Sequence, residues 1–393
     1  MKYEYGEFDG QRFLSPDELF PSPKMVQFIL QHGQDALDAL NGMEDQDMQE
    51  YIEAMVAAGL LERDEDGNLR MTSRMLRGIE SRALLEIFEG LKRGSRDAHP
   101  AQEFGRSAER SEGSKAYEFG DPINEIDLTS TLRNTLRRQI AEAGSGTVKP
   151  PLKIRQQDFE VFQTESQTDT ATCVLIDLSG SMMRWGRFFH AKRVALGMAA
   201  MIRSQFPLDT IDFVGFSSLA ERIDEKDLPL VMPKPVTIHD YEVNIRVPLE
   251  QAEGHPDLVP QHFTNLHMGL RLSRQILAKR GAANKQVFII TDGQPTAHIE
   301  AGPTGDDMLY LLYPPTERTT DITLKEALRC QQQGIRVASF ALIEDYYGMD
   351  WVGFIDKLTK MTRGIAYYCA SDDLSSTVIE SYLSGKKSKS FID

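Results

Sequence analysis

From residue 170 onward, short apolar runs alternate with amphipathic stretches, and this alternation constrains the fold more than any other feature of the chain. The runs ATCVLIDL, TIDFVGFS, QVFIITD, RVASFALI and GIAYYCA read as strands. Between and after them, RFFHAKRVALGMAAMIRSQF, TNLHMGLRLSRQILAKR, TLKEALRCQQQG, DWVGFIDKLTKMT and DDLSSTVIESYLS carry apolar residues at helical spacing. Strands that are apolar throughout need cover on both faces, which calls for a mainly parallel sheet with helices on each side. The expected fold class is α/β, a doubly wound, Rossmann-like domain over residues 169–393.

In such sheets, ligands collect at the carboxyl ends of the strands. The first strand ends in Asp177, and the next residues offer the hydroxyls of Ser179 and Ser181 before a helix begins near Arg187. A second loop, QHFTNLHMGL, brings Thr264 to the start of another helix, and a third, IITDGQPT, ends a strand at Asp292. Two carboxylates and three hydroxyls are hard oxygen donors, which select Mg²⁺ first and Mn²⁺ or Ca²⁺ next. Two carboxylates only balance a divalent ion, so one coordination position stays open for an anionic ligand from outside. Alone, the Asp-x-Ser-x-Ser stretch is equally a turn aspartate with capping serines; three loops in this order make it specific.

Other chemistry is poorly supported. His255, His262, His267 and His298 lie in or near these loops, but their spacings match no zinc pattern. Around Ser179 the Gly-x-Ser-x-Gly of a nucleophile elbow is broken, and no histidine is placed to activate it. No P-loop occurs; the Gly385-Lys386 pair is followed by lysine and lacks the earlier glycine.

Asp177, Ser179, Ser181, Thr264 and Asp292 together resemble the metal-ion-dependent adhesion site of von Willebrand factor A (VWA) domains. That resemblance implies that both serines and Thr264 contact the ion directly, that Asp177 and Asp292 hold it through waters, and that a partner's carboxylate takes the sixth position. It covers about residues 170 to 390. The stretch YEFGDPINEIDLTSTLRNTL, followed by DFEVFQTESQT and the metal loop, is similar to bacterial cytosolic VWA proteins that work with AAA+ ATPases. Those include partners of MoxR-type ATPases and the D subunit of magnesium chelatase. The chain departs from the chelatase subunit in lacking an N-terminal AAA-like module and an acidic, proline-rich linker.

The first half is organised differently. PKMVQFILQHGQDALDAL and DMQEYIEAMVAAGLLE read as helices, Asp66-Gly67 as a hairpin turn, and TSRMLRGIESRALLEIFEGL as a helix begun by Thr72 or Ser73 and stopped near Gly90. Helix, hairpin, helix is a winged-helix-like order, so residues 1–93 are expected to form a helical N-terminal domain. Residues 94–168 read as a linker and docking helix. GSRDAHPAQEFGRSAERSEGSKA has no periodicity, whereas DLTSTLRNTLRRQIAEAG repeats Leu128, Leu132, Leu136 and Ile140 on a face expected to dock on a neighbour. Asp127 or Thr129 can cap this helix and Gly144 can end it.

A net charge of −15 repels phosphate backbones and argues against nucleic-acid binding, despite the winged-helix-like order. The tail SGKKSKSFID is the one concentrated basic run and reads as a solvated end. Cys173, Cys330 and Cys369 form no CxxC pair and lie in or beside apolar segments, as reduced core thiols do in cytosol. The start, MKYEYGEFDG, has no apolar signal region, and no apolar run is long enough to span a membrane, so a cytoplasmic protein is expected. The insert EAGPTGDDMLYLLYPPTERTTD, with MLYLLY read as an extra strand, lies near enough to the metal loops to shape what docks there, or else covers a sheet edge. The reading is a non-enzymatic, Mg²⁺-dependent interaction module that couples an AAA+ ATPase to a client protein bearing an acidic residue. Its alternative is a subunit of a chelatase-like metal or cofactor insertion complex.

Overall fold

Residues 170–177 form a strand with no exposed position, because each face of the sheet to which it belongs is covered. The computed structural model describes residues 23–43, 45–94, 110–117, 126–143, 152–164, 169–303, 305–342, 349–370 and 373–387. The N-terminal start, Gly144 and the end of the basic tail lie outside the described residues, although the last helix runs as far as Lys387. The described helices are α1 (Pro23–His32), α2 (Gln34–Asn41), α3 (Gln46–Ala57), α4 (Ser73–Gly94), α5 (Leu128–Ala143), α6 (Arg187–Gln205), α7 (Leu249–Gly254), α8 (Leu266–Ala278), α9 (Glu317–Gln332), α10 (Met349–Thr362) and α11 (Leu374–Lys387). The strands are β1 (Leu61–Arg63), β2 (Leu69–Met71), β3 (Arg110–Ala116), β4 (Glu160–Thr164), β5 (Thr170–Asp177), β6 (Thr210–Phe216), β7 (Ala220–Ile223), β8 (Val243–Pro248), β9 (Asn284–Thr291), β10 (Ala297–Ala301), β11 (Asp307–Tyr313), β12 (Ile335–Leu342) and β13 (Ile365–Cys369).

The main sheet has six strands in the order β13-β12-β9-β5-β6-β7. The five strands expected from the sequence pair in parallel. The sixth, β7, is an antiparallel edge formed by AERI, too short and too polar to show as an apolar run. Crossover helices cover both faces, as a parallel sheet requires. MLYLLY does form a strand, β11, but it is the middle of a separate antiparallel sheet, β10-β11-β8.

The chain divides into two compact units: Met1–His99 with Asp169–Asp393, and Pro100–Thr168. In the first, the N-terminal helices and the sheet share one apolar core. Ile29, Leu37, Ile52, Met75 and Ile79 belong to the same buried cluster as Val194, Met198 and Met201 of α6 and Ile176 of β5. Each such side chain gains roughly 1.5–3 kcal/mol on leaving water. Arg203 of α6 pairs with buried Glu80 of α4 at 2.7 Å and also with Glu225. Helix, hairpin and helix do follow in the expected order as α3, β1-β2 and α4. Asp64 accepts from the amides of Asp66 and Asn68, and Gly67 takes φ +82°, which fixes the turn.

In the second unit, part of the stretch expected to be a linker is a strand. Residues 110–116 pair antiparallel with β4, in a run of Ser, Glu, Gly and Lys that shows no apolar alternation. Helix α5 is capped by Asp127, which accepts from the amides of Thr129 and Ser130. Within its own unit the helix packs by a face of threonines. The buried positions are Thr131 and Thr135, while Leu128, Leu132, Leu136 and Ile140 stay outside that packing. The buried carboxylate of Asp158 organises the polar side. It takes both arms of Arg138 at 2.8 and 2.7 Å, the Thr135 hydroxyl at 3.2 Å and the Arg155 amide at 2.8 Å. The Arg138 guanidinium holds that carboxyl well below the usual carboxylate range.

Candidate metal centre

Asp177 is the last residue of β5, an interior strand, so its side chain stands at the carboxyl rim of the sheet and is wholly buried. One of its oxygens accepts from the Ser179 amide at 2.8 Å, and the other from the Thr291 hydroxyl at 2.6 Å. The chain then turns through Gly180. A Cβ there would lie 2.4 Å from a Val236 methyl, so a larger residue would have to push aside the strap that crosses the loop. That strap is held by the Lys234 amide, which donates to the Leu178 carbonyl at 2.8 Å.

The turn aims two hydroxyls at one point, with the Ser179 and Ser181 oxygens 3.1 Å apart. Ser181 donates to one oxygen of Asp292 at 2.7 Å. Asp292 follows β9, the neighbour of β5, and its other oxygen receives Arg187 at 2.6 Å. Asp177, Ser179, Ser181 and Asp292 therefore form one hydrogen-bonded group built from two adjacent strand ends. Thr264 comes to the same rim on the 261–265 loop, which is tied to the group because the Gly180 amide donates to the His262 carbonyl at 3.1 Å. The Thr264 hydroxyl makes no hydrogen bond to the other four among the described residues; its backbone amide instead donates to Thr296. Asn265, one residue later, caps α8 by accepting from the Met268 amide.

Two buried carboxylates this close are short of positive charge. Burial first, and the neighbouring Asp292 second, push the Asp177 carboxyl up to about 7. Oxygen donors that are buried, grouped and under this electrostatic pressure fit a hard divalent cation. Such an ion would be held by Asp177, Ser179, Ser181, Asp292 and Thr264. Among the described residues, no three His, Cys, Asp or Glu side chains gather as a metal site, at this rim or elsewhere; the donors here are two carboxylates and three hydroxyls. Of the loop histidines, His267 Nδ1 accepts from the Ile299 amide at 3.1 Å and His298 Nδ1 lies 2.9 Å from the Thr319 hydroxyl. Burial holds both rings down at about 4.

Two residues of the group escaped the sequence reading. Thr291 ends an apolar strand, where a threonine carries no signal of its own. Arg187 marks a helix start in the sequence, although a cation in a first helical turn opposes the helix dipole and so signals a partner elsewhere.

A doubly wound parallel sheet with a short antiparallel edge, carrying this loop after an interior strand, is a von Willebrand factor A domain. The chain belongs to the Rv0959-like family: the family's vWA-domain profile matches residues 170–383, and its third-domain profile matches residues 109–164. The chain is 27% identical over 336 residues to "Uncharacterized protein Rv0959" of Mycobacterium tuberculosis and equally to "Uncharacterized protein Mb0984" of Mycobacterium bovis. The match takes in 85% of this chain and 44% of each relative, so the chain spans less than half their length. Among solved structures, the PilB minor pilin from Streptococcus sanguinis is similar with a TM-score of 0.39 and 16% identity, covering 62% of this chain and 67% of that one. The vWF domain of the pilus tip protein Mfa5 from Porphyromonas gingivalis follows with a TM-score of 0.38 and 11% identity, over 56% of this chain and 96% of that one. No described helix is long and apolar enough to cross a membrane.

Proposed function

We propose that this chain is a non-enzymatic protein-interaction module whose docking point is a Mg²⁺ ion at the rim of the vWA sheet. The observation that carries this reading is the Ser181 bridge to Asp292, which joins the Asp-x-Ser-x-Ser loop to a carboxylate on the adjacent strand end at 2.7 Å. Mn²⁺ or Ca²⁺ would suit the same donors. Asp177 and Asp292 supply the charge, the hydroxyls of Ser179, Ser181 and Thr264 supply neutral ligands, and a partner's carboxylate completes the shell. In this reading the module works in the cytoplasm and links an AAA+ ATPase, of the MoxR or chelatase type, to a client protein.

The test is a pull-down of the full chain against an AAA+ protein encoded beside it. The complex should form in Mg²⁺ and be lost with EDTA or with Asp177→Ala. Equal recovery in all three conditions would sink the metal-bridge reading.

A further inference from the structure

Asp292 already has a cation. Its carboxylate is fully buried, and Arg187 reaches it at 2.6 Å from a position itself almost buried. The chain accepts two costs to put Arg187 there. It places a positive charge in the first turn of α6, against the helix dipole. It also starts that helix from two successive left-handed residues, Trp185 at φ +56° and Gly186 at φ +69°. For a residue as bulky as tryptophan such backbone is strained. The indole lies beside the same guanidinium, 5.8 Å from its carbon to the ring centre.

We propose that Arg187 is an internal counter-cation of the strand-end site, balancing Asp292 when no metal is bound and competing with the metal for that carboxylate. This rests on the metal reading above. With both carboxylates ionised, Arg187 brings the site from two negative charges to one. A divalent ion then binds less tightly, because it must weaken or displace the guanidinium. Once bound, it leaves a net positive charge rather than a neutral site, which raises the attraction for an anionic partner. Arg187 thus trades affinity for the metal against affinity for the partner's carboxylate.

Calorimetric titration of the full chain with Mg²⁺ and with Mn²⁺, alongside thermal unfolding as a folding check, tests this. Arg187→Gln should tighten Mg²⁺ by about tenfold or more, the effect of removing one nearby unit charge, and Arg187→Lys should stay near the wild type. A folded Arg187→Gln protein that binds Mg²⁺ equally or more weakly overturns the proposal; the metal reading then survives as long as the wild type binds and Asp177→Ala does not. If neither the wild type nor Arg187→Gln binds either ion, the metal reading itself fails and takes the proposal with it. A second measurement does not depend on any change at Arg187. In a Trp351→Phe background, which leaves Trp185 as the one tryptophan, Mg²⁺ should alter the indole emission as the guanidinium leaves Asp292. Unchanged emission at saturating Mg²⁺ also overturns the proposal.

Discussion

Ile87 of α4 lies so close to Gly197 of α6 that a Cβ on Gly197 would come within 2.4 Å of the Ile87 δ-methyl. The N-terminal helices meet the vWA helix at backbone distance there. Alanine at 197 gains about 1 kcal/mol of helix propensity, which offsets the small rotation Ile87 must make. Gly197→Ala is therefore expected to be near neutral, whereas Gly197→Leu should cost roughly 1–3 kcal/mol by overpacking. Urea unfolding of the three proteins checks this; a neutral Gly197→Leu would show that the two helices are not held at this distance.

Lys192 is fully buried on α6, with its amine on the Pro229 carbonyl at 2.8 Å. Burial lowers it from its ordinary 10.5 to about 7. Between those values the folded chain binds fewer protons than the unfolded one, so stability should rise as the pH goes from 7 to 10. Lys192→Met removes that rise and should stabilise the protein near pH 7 by on the order of 2–3 kcal/mol, after allowing for the lost hydrogen bond. A pH series of denaturation midpoints decides it, and a flat wild-type profile would refute the assignment.

His267 has the same sign in a lower pH window. Burial lowers it from 6.5 to about 4, and its Nδ1 must stay unprotonated to accept from the Ile299 amide. The folded state then binds fewer protons than the unfolded state between pH 4 and 6.5, so stability present at neutral pH is lost as the pH falls through that window. His267→Gln should flatten the fall, measured as the slope of unfolding free energy against pH. An unchanged slope would place the acid sensitivity elsewhere.

Cys173, Cys330 and Cys369 are buried free thiols, with burial pushing them to about 12, 12 and 11. None should react with Ellman's reagent in the native protein at pH 8, and all three should react at the rate of unfolding. Rapid modification of even one thiol would contradict their placement.

Much of the α/β half was legible because its strands are long, apolar and buried on both sides, which leaves a plain period in the sequence. What escaped has local sequence unlike its structure. β7 is four residues of an edge, and β8 and β10 belong to a sheet with one solvated face. β3 is a run of Ser, Glu, Gly and Lys that is recognisable as a strand only through its pairing with β4. At the site, the five oxygen residues stood out by spacing, whereas Thr291 and Arg187 act through contacts across 114 and 105 positions that no local pattern encodes.

The strap over the Asp-x-Ser-x-Ser loop has a practical consequence for dissecting this molecule. At one end Val236 closes on Gly180; at the other, a Cβ on Gly33, between α1 and α2, would lie 2.3 Å from the Leu230 carbonyl oxygen. Trimming the chain to its family-matched span would keep every strand of the main sheet and still strip the outer wall from residues 228–232. A chimera that exchanges the N-terminal helices should therefore carry this strap with them, since its two ends are fitted to different parents.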